Sequence, residues 1–285
     1  MKFKISRRLF ILQMLFFFAA CETKDSSTKF TELVIGIISY GQEKQKLEQF
    51  SRFREYLGKR TRAIIQVEPT FNEKMAIERI KNYSWALVFA SPGLAAIAKA
   101  NYKYLPIFPL AVDINLRSIF VVRKDSPLKG LKDLQNKKVA LGLPGSATGY
   151  YFPLYNLYGL TLAEILFAPT PKTVLEWVAQ NKAAAGALSL QEFNSHRLEL
   201  NNVEFRILFS DPQIVPPGAV LLSPKLDQNR QELIRNSLKE APPTLIQDFT
   251  YVTNEEVPNY EYMISVVNRV TSLTTDLRAK PTRIF

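Results

Sequence analysis

Gly145-Ser146-Ala147-Thr148-Gly149-Tyr150 sets two hydroxyls between two glycines, directly after the apolar run Val139 to Leu143 and before an aromatic-rich stretch. The pattern predicts a strand, a glycine-hinged turn and a helix start. The first amides of a helix lack intrahelical partners and carry the positive end of the macrodipole, so Ser146 and Thr148 beside them suit an oxyanion. Ser and Thr before a helix also serve as plain caps, and the local pattern leaves both roles open.

Other chemistries find little support. His196 is the single histidine and lies in the polar stretch Gln191 to Asn201, with no nucleophile or metal motif around it, so it reads as a solvated surface group. Gly142 to Gly149 is glycine-rich but lacks the Lys-Ser/Thr of a nucleotide-binding loop. Neither an enzyme, a catalytic residue, a metal nor a cofactor is expected. Nucleic-acid binding is not expected either, because no zinc-finger spacing, aromatic RNA-binding signature or long basic stripe occurs.

The chain begins with Lys2, Lys4, Arg7 and Arg8, then an apolar stretch from Leu9 to Ala20 broken only by Gln13, then Cys21. The stretch is too short for a mature membrane-spanning helix, which needs about 20 residues. Its layout resembles a bacterial lipoprotein signal peptide, with Cys21 as the lipidated first residue of the mature chain. Phe18 stands where such signals more often carry leucine, which leaves ordinary secretion as the alternative. Cys21 is the only cysteine, so no intramolecular disulfide is possible and the core must stabilise the fold. The chain carries 37 Lys and Arg against 26 Asp and Glu. Four of those positives lie in the leader, and the moderate surplus left suits anionic ligands, an anionic membrane surface or simply a solvated basic face.

Glu22 to Thr31 is polar and reads as a flexible tether. Strand and helix patterns then alternate: strands at Leu33 to Ile38, Ala63 to Glu68 and Ala86 to Ala90, with helices at Gln45 to Leu57, Asn72 to Tyr83 and from Pro92 onward. A second set follows, with strands at Ser118 to Arg123, Lys138 to Leu143, Ile165 to Ala168, Ala184 to Leu188 and Glu204 to Phe209, and helices at Ala147 to Tyr158 and Lys172 to Gln180. Proline-rich Asp211 to Pro217 reads as a crossing back to the first set, which Ala219 to Leu222 and the helix Asp227 to Lys239 rejoin. The amphipathic stretch Tyr260 to Leu273 is expected to pack on the first lobe. Such alternation argues for α/β lobes built on parallel strands.

Three stretches carry a family resemblance. They are Leu33-Val34-Ile35-Gly36-Ile37, Ser118 to Arg123 with Leu131-Lys132-Asp133-Leu134, and Lys138 through the turn to Tyr150-Tyr151-Phe152-Pro153. Together they resemble the solute-binding component of phosphate, phosphite and phosphonate ABC importers. The resemblance implies a two-lobed type II periplasmic binding-protein fold, each lobe a mostly parallel sheet flanked by helices, with hinge crossings between lobes. It divides the chain into a signal (1–20), a tether (21–31), lobe 1 (32–114 plus 215–285) and lobe 2 (115–214). It places a small anionic ligand at Gly145, Ser146, Ala147, Thr148, Gly149 and Tyr150 on one lobe, facing Ser91, Tyr40 and Phe71 on the other. Ser39, Arg117 and Ser118 are weaker candidates for the cleft.

The sequence departs from the family pattern at two of these places and at Ser189, which the resemblance also sets at the ligand. Ala147 replaces a threonine and removes a donor, Phe71 stands where a tyrosine hydroxyl is usual, and Ser189 stands where relatives that bind aminoalkyl phosphonates have a carboxylate. An aminophosphonate is therefore not expected. The implied partners are an ABC permease and ATPase and, through Cys21, the lipid membrane, for a monomer in the periplasm or cell envelope. The alternative is a degenerate lipoprotein of this fold acting as an interaction or sensory module without transport.

Overall fold

Short apolar strands, each followed by a helix with one apolar face, account for most of the chain. The computed structural model describes residues 31–38, 43–111, 116–200, 202–273 and 277–284. The leader, Cys21, the tether up to residue 30, Ser39 and Tyr40 lie outside the described residues. From Glu32 onward the chain forms one compact unit.

The first elements are β1 (Thr31–Ile38), α1 (Glu43–Thr61), β2 (Ala63–Thr70), α2 (Glu73–Lys81), β3 (Leu87–Ala90), α3 (Pro92–Tyr102) and β4 (Leu105–Pro109). After a crossing come β5 (Ser118–Arg123), β6 (Lys138–Leu141), a π-helical turn (Ala147–Tyr151), α4 (Phe152–Asn156), β7 (Thr161–Leu162), β8 (Glu164–Phe167), α5 (Pro171–Ala179), β9 (Ala185–Ser189), α6 (Leu190–His196) and β10 (Phe205–Ser210). The chain then returns through β11 (Ala219–Leu222), α7 (Gln228–Lys239), α8 (Pro243–Asp248), α9 (Glu261–Leu273) and β12 (Thr282–Arg283). The two large sheets are ordered β2-β1-β3-β11-β4 and β10-β5-β9-β6-β8.

The two α/β lobes and their crossings match expectation, but the sheets are mixed rather than mostly parallel. β1 is parallel to β3, and β6 is parallel to β8 and β9. In contrast β5 is antiparallel to β9 and β10, and β11 to β3 and β4. β5 and β11 are the first strands after the crossings, and each enters its sheet against the direction of both neighbours.

Strands β3 and β9 are buried along their whole length, as strands covered on both faces must be. Each lobe has an outer apolar cluster, one around Phe53, Phe89 and Phe249, the other around Ile119, Val174 and Val178. The largest cluster instead runs across the lobe boundary, from Leu94 and Ala95 through Phe120 and Val139 to Tyr150, Tyr260 and Met263. Helix α9 contributes Met263, Val266, Val267 and Val270, the i, i+3, i+4, i+7 stripe of an amphipathic helix. That stripe packs on α3 and also on α4, so α9 touches both lobes rather than the first alone. The tail then pairs β12 with β7, and Ile284 exchanges backbone hydrogen bonds with Gly159 and Leu160 at 2.7 and 2.9 Å. Among the described residues no helix is long and apolar enough to cross a membrane.

Candidate functional site

Strand β6 ends at Leu141, and Gly145 turns the chain with φ at +110°, a conformation that favours glycine. Ser146 follows as the cap of the helical run, its Oγ accepting from the Gly149 amide at 3.0 Å. Capping is thus realised, yet the hydroxyl keeps its proton for donation to a ligand. The run opens with a π turn where the sequence predicts an α-helix, the Tyr151 amide donating to the Ser146 carbonyl at 3.1 Å. Two features explain the wider turn. Pro153 has no N–H to offer the Gly149 carbonyl, and that carbonyl accepts from the Gly142 amide at 2.8 Å instead. Single π turns of this kind recur at functional sites.

Thr148 is buried, and its carbonyl accepts from Ser118 Oγ at 2.7 Å, so Ser118 braces the turn from β5. Tyr150 and Tyr151 pack edge to face behind it. Burial pushes the Tyr150 hydroxyl up to about 12 and raises Tyr151 as well, so both phenols stay protonated at neutral pH. Ser189 is occupied elsewhere: its hydroxyl accepts from the Glu192 amide at 3.0 Å while the Glu192 carboxylate accepts from the Ser189 amide at 2.8 Å. This reciprocal capping box starts α6, which takes up the first part of the polar stretch Gln191 to Asn201.

On the facing lobe, α3 begins at Ser91-Pro92-Gly93. Ser91 holds the cap position but makes no side-chain bond to a helix amide, and its Oγ is buried with no hydrogen-bond partner, alone in this among the described side-chain oxygens and nitrogens. A buried hydroxyl without a partner costs about 1–3 kcal/mol. Two residues on, Gly93 meets the turn directly. A Cβ there would lie 2.2 Å from the Gly145 carbonyl oxygen and 2.8 Å from the Ala147 nitrogen. Phe71 is half exposed and is not among the described residues that line the cavity at the turn.

Between the lobes remains a cavity of about 20 Å³, lined by Glu73, Gly142, Leu143, Ser146, Gly149, Thr170 and Glu192 among others. That is room for about one water, so the described residues meet closely around the turn. Glu73, at the first position of α2, is buried, and a Cβ on Gly145 would come within 2.3 Å of the Glu73 Cβ. Glu73, Glu192, Thr170 and Gly93 escaped the sequence reading; only the Ser189 to Glu192 spacing carried a signal. A larger groove of about 630 Å³ lies on the outer face between β4, α7 and residues 253–257, and contains no residue of the turn.

The crossings are laced together by Arg117 and Asp211. Arg117 donates to the backbone carbonyls of Asp211 and Pro212, the Asp211 amide donates to the Ser118 carbonyl at 2.9 Å, and the Asp211 carboxylate accepts from Asn156 Nδ2 at 2.6 Å and from the Gln213 amide at 2.8 Å. Arg117 therefore serves the hinge. His196 sits against Glu199 at 2.9 Å, and no cluster of metal-ligating side chains occurs among the described residues.

Two α/β lobes, two crossings and a pair of helix starts meeting at the boundary define a two-lobed binding protein of the type II periplasmic class. Solved structures agree at the level of fold. A Xanthomonas citri protein bound to ATP superposes with a TM-score of 0.70 at 19% identity, covering 85% of this chain and 98% of its own. The PhnD1 protein of Prochlorococcus marinus, in complex with methylphosphonate, gives 0.68 at 17% identity with 85% and 98% covered. A binding protein component of an ABC phosphonate transporter from Pseudomonas aeruginosa gives 0.62 at 14%, covering 78% and 80%. The sequence profile described as ABC transporter, phosphonate, periplasmic substrate-binding protein matches residues 35–250, and the chain belongs to that family. No curated protein sequence matches it.

Proposed function

We propose that this chain is an extracytoplasmic solute-binding lipoprotein that carries a small oxyanion, phosphate-like or phosphonate-like, to an ABC permease and its ATPase. Cys21 anchors it to the membrane, and it works as a monomer. The observation that carries this reading is the meeting of two helix starts across the lobe boundary, with the Ser91 hydroxyl buried and unpaired at one of them. A ligand oxygen would take the Ser91 and Ser146 hydroxyls together with amides of the turn, Thr148 and Tyr150 shaping the turn behind it. Because the ligand would touch both lobes, it would favour the closed state by its extra affinity for it.

Thermal unfolding of the full chain with phosphate, phosphite, methylphosphonate and sulfate tests the reading. An anion at 100 times its dissociation constant adds about 2.7 kcal/mol of stability. Ser146→Ala costs about 0.5–2 kcal/mol of helix capping, so the ligand-induced shift is compared rather than the melting temperature itself. Losing one hydrogen bond to the charged ligand is expected to weaken binding by about tenfold to a hundredfold. Absence of a shift with all four anions would sink the assignment. The small cavity at the turn, with room for about one water, favours a second reading in that event, an interaction or sensory module that has lost transport.

A further inference from the structure

We propose that the far end of lobe 2 is a membrane-docking face that holds anionic phospholipid headgroups through a cluster of lysines; the proposal stands apart from the anion reading of the turn. The parallel strands β6, β8 and β9 all start at this end, and exposed lysines crowd around their starts. Lys137 and Lys138 open β6, and their carbonyls accept from the Ala163 and Ala184 amides, just ahead of β8 and β9, at 3.0 and 2.8 Å. Lys182 stands before β9, its ammonium 4.1 Å from the centre of the Trp177 ring. Lys280 joins them from the tail, pairing with Glu164 at 2.5 Å, as Lys138 does at 3.2 Å. Lys129 and Lys132 lie on the segment that leads into β6, where the Gln135 side chain accepts from the Thr161 amide, opposite Arg283.

Two acids sit among these lysines, and both are committed. Asp133 accepts from the Lys129 and Gly130 amides at 2.6 and 3.1 Å, and Glu164 is shared by two lysines. Lys132 and Lys137 form no ion pair among the described residues. At the next corner of the sheet Arg123 with Asp125 and Lys124 with Glu204 cancel, so the surplus stays local. The cluster outlines a face rather than a pocket, since none of its lysines lines either cavity described above. Lysine is a compact hydrated charge on a flexible stem, suited to a diffuse field of phosphates, whereas a single bound phosphate is better gripped by the planar fork of arginine. An anionic leaflet attracts such lysines through its negative surface potential, and a basic patch is the second signal that makes one lipid anchor hold. The proposed Cys21 anchor leads into lobe 1 through β1, so the patch would give lobe 2 its own hold on the same bilayer. The turn lies beyond the opposite end of β6, after Leu141, and docking would leave it uncovered.

Co-sedimentation of the full chain with vesicles of phosphatidylglycerol and, separately, of phosphatidylcholine tests the proposal. The native chain is expected to bind the anionic vesicles more tightly, and the excess should vanish at about 1 M salt, where the screening length falls to about 3 Å. Each lysine at an anionic surface is worth about fivefold in affinity, so the triple variant Lys129→Gln, Lys132→Gln, Lys137→Gln should lose about 100-fold on phosphatidylglycerol and nothing on phosphatidylcholine. These side chains are exposed, so folding should be unaffected, which a melting curve checks. A second variant removes the same charge from exposed positions of lobe 1, Lys74→Gln, Lys81→Gln, Lys239→Gln, and should lose about fivefold or less. The leader is common to every protein compared, so the differences report the patch. Equal binding of the native chain to both lipids, or a loss below about fivefold in the first variant, overturns the proposal. Equal losses in the two variants overturn it as well, because they would assign the effect to net charge alone.

Discussion

Gly93→Ala is expected to hold the cleft open. The closed arrangement puts the added Cβ at 2.2 Å from the Gly145 carbonyl oxygen and 2.8 Å from the Ala147 nitrogen, both backbone atoms of a turn that is itself fixed by Ser118 and Gly142. No rotamer change can relieve a clash between two backbones. Separating the lobes can, and the cost is the loss of the contacts between them. Within α3 alone, alanine in place of glycine favours the helix by about 0.5–1 kcal/mol, so the lobes themselves should not be weakened. Small-angle scattering of the ligand-free chain should show a larger radius of gyration than the native protein. Affinity for inorganic phosphate should fall by at least about 100-fold, equivalent to about 2.7 kcal/mol. An unchanged radius together with unchanged affinity would show that the lobes do not close through this contact.

That contact illustrates what a single sequence reveals. Strand β11 is a continuous run of buried apolar residues and β5 has one at its centre, Ile119 to Val122, and the sequence pattern places both at their observed bounds, Ser118–Arg123 and Ala219–Leu222. Strand β4 was not read, because Pro106 and Pro109 interrupt it; it is tolerated at the edge of the sheet, where a missing N–H need not break a ladder. Helix α6 hid in a polar stretch, although Ser189 and Glu192 stand at the spacing of a capping box. The turn itself was legible since its glycines and hydroxyls are local to it. Its counterpart was not. Glutamate at the first position of a helix usually faces water and pleases the dipole, and only the fold brings Glu73 against Gly145, 72 positions along the chain. Ser189 caps α6, and Glu192 of that helix lines the same cavity, an acid that the sequence reading did not assign to the cleft.

Gly36→Ala is expected to be the most damaging small substitution in the first lobe. The new Cβ would fall 2.1 Å from Cδ2 and 2.2 Å from Cε3 of Trp85, a fully buried ring lying flat over the strand. Neither side can retreat. Gly36 is registered opposite Val88 in the β1 and β3 ladder, between the pairs Ile35 with Leu87 and Ile37 with Phe89. Trp85 is tied by its indole N–H to Glu68 at 2.8 Å, and its carbonyl accepts from the Tyr104 hydroxyl at 2.9 Å. Overpacking of this kind costs about 1–3 kcal/mol, and expelling the ring would cost more, since removing a buried tryptophan costs about 3–5 kcal/mol. Urea denaturation should therefore show a loss of about 3 kcal/mol for Gly36→Ala and about 4 kcal/mol for Trp85→Ala. The double variant supplies the discriminating result. If the clash is with the ring, Trp85→Ala removes it, and adding Gly36→Ala should then cost almost nothing, a coupling of about 3 kcal/mol between touching residues. Simple addition of the two losses would mean that the strand fails for its own backbone reasons. Such coupling matters for the cleft, because β1 and β3 lie side by side in the sheet that carries α3, and β3 leads directly into Ser91, so the seat of the ring also fixes where the facing helix start can stand.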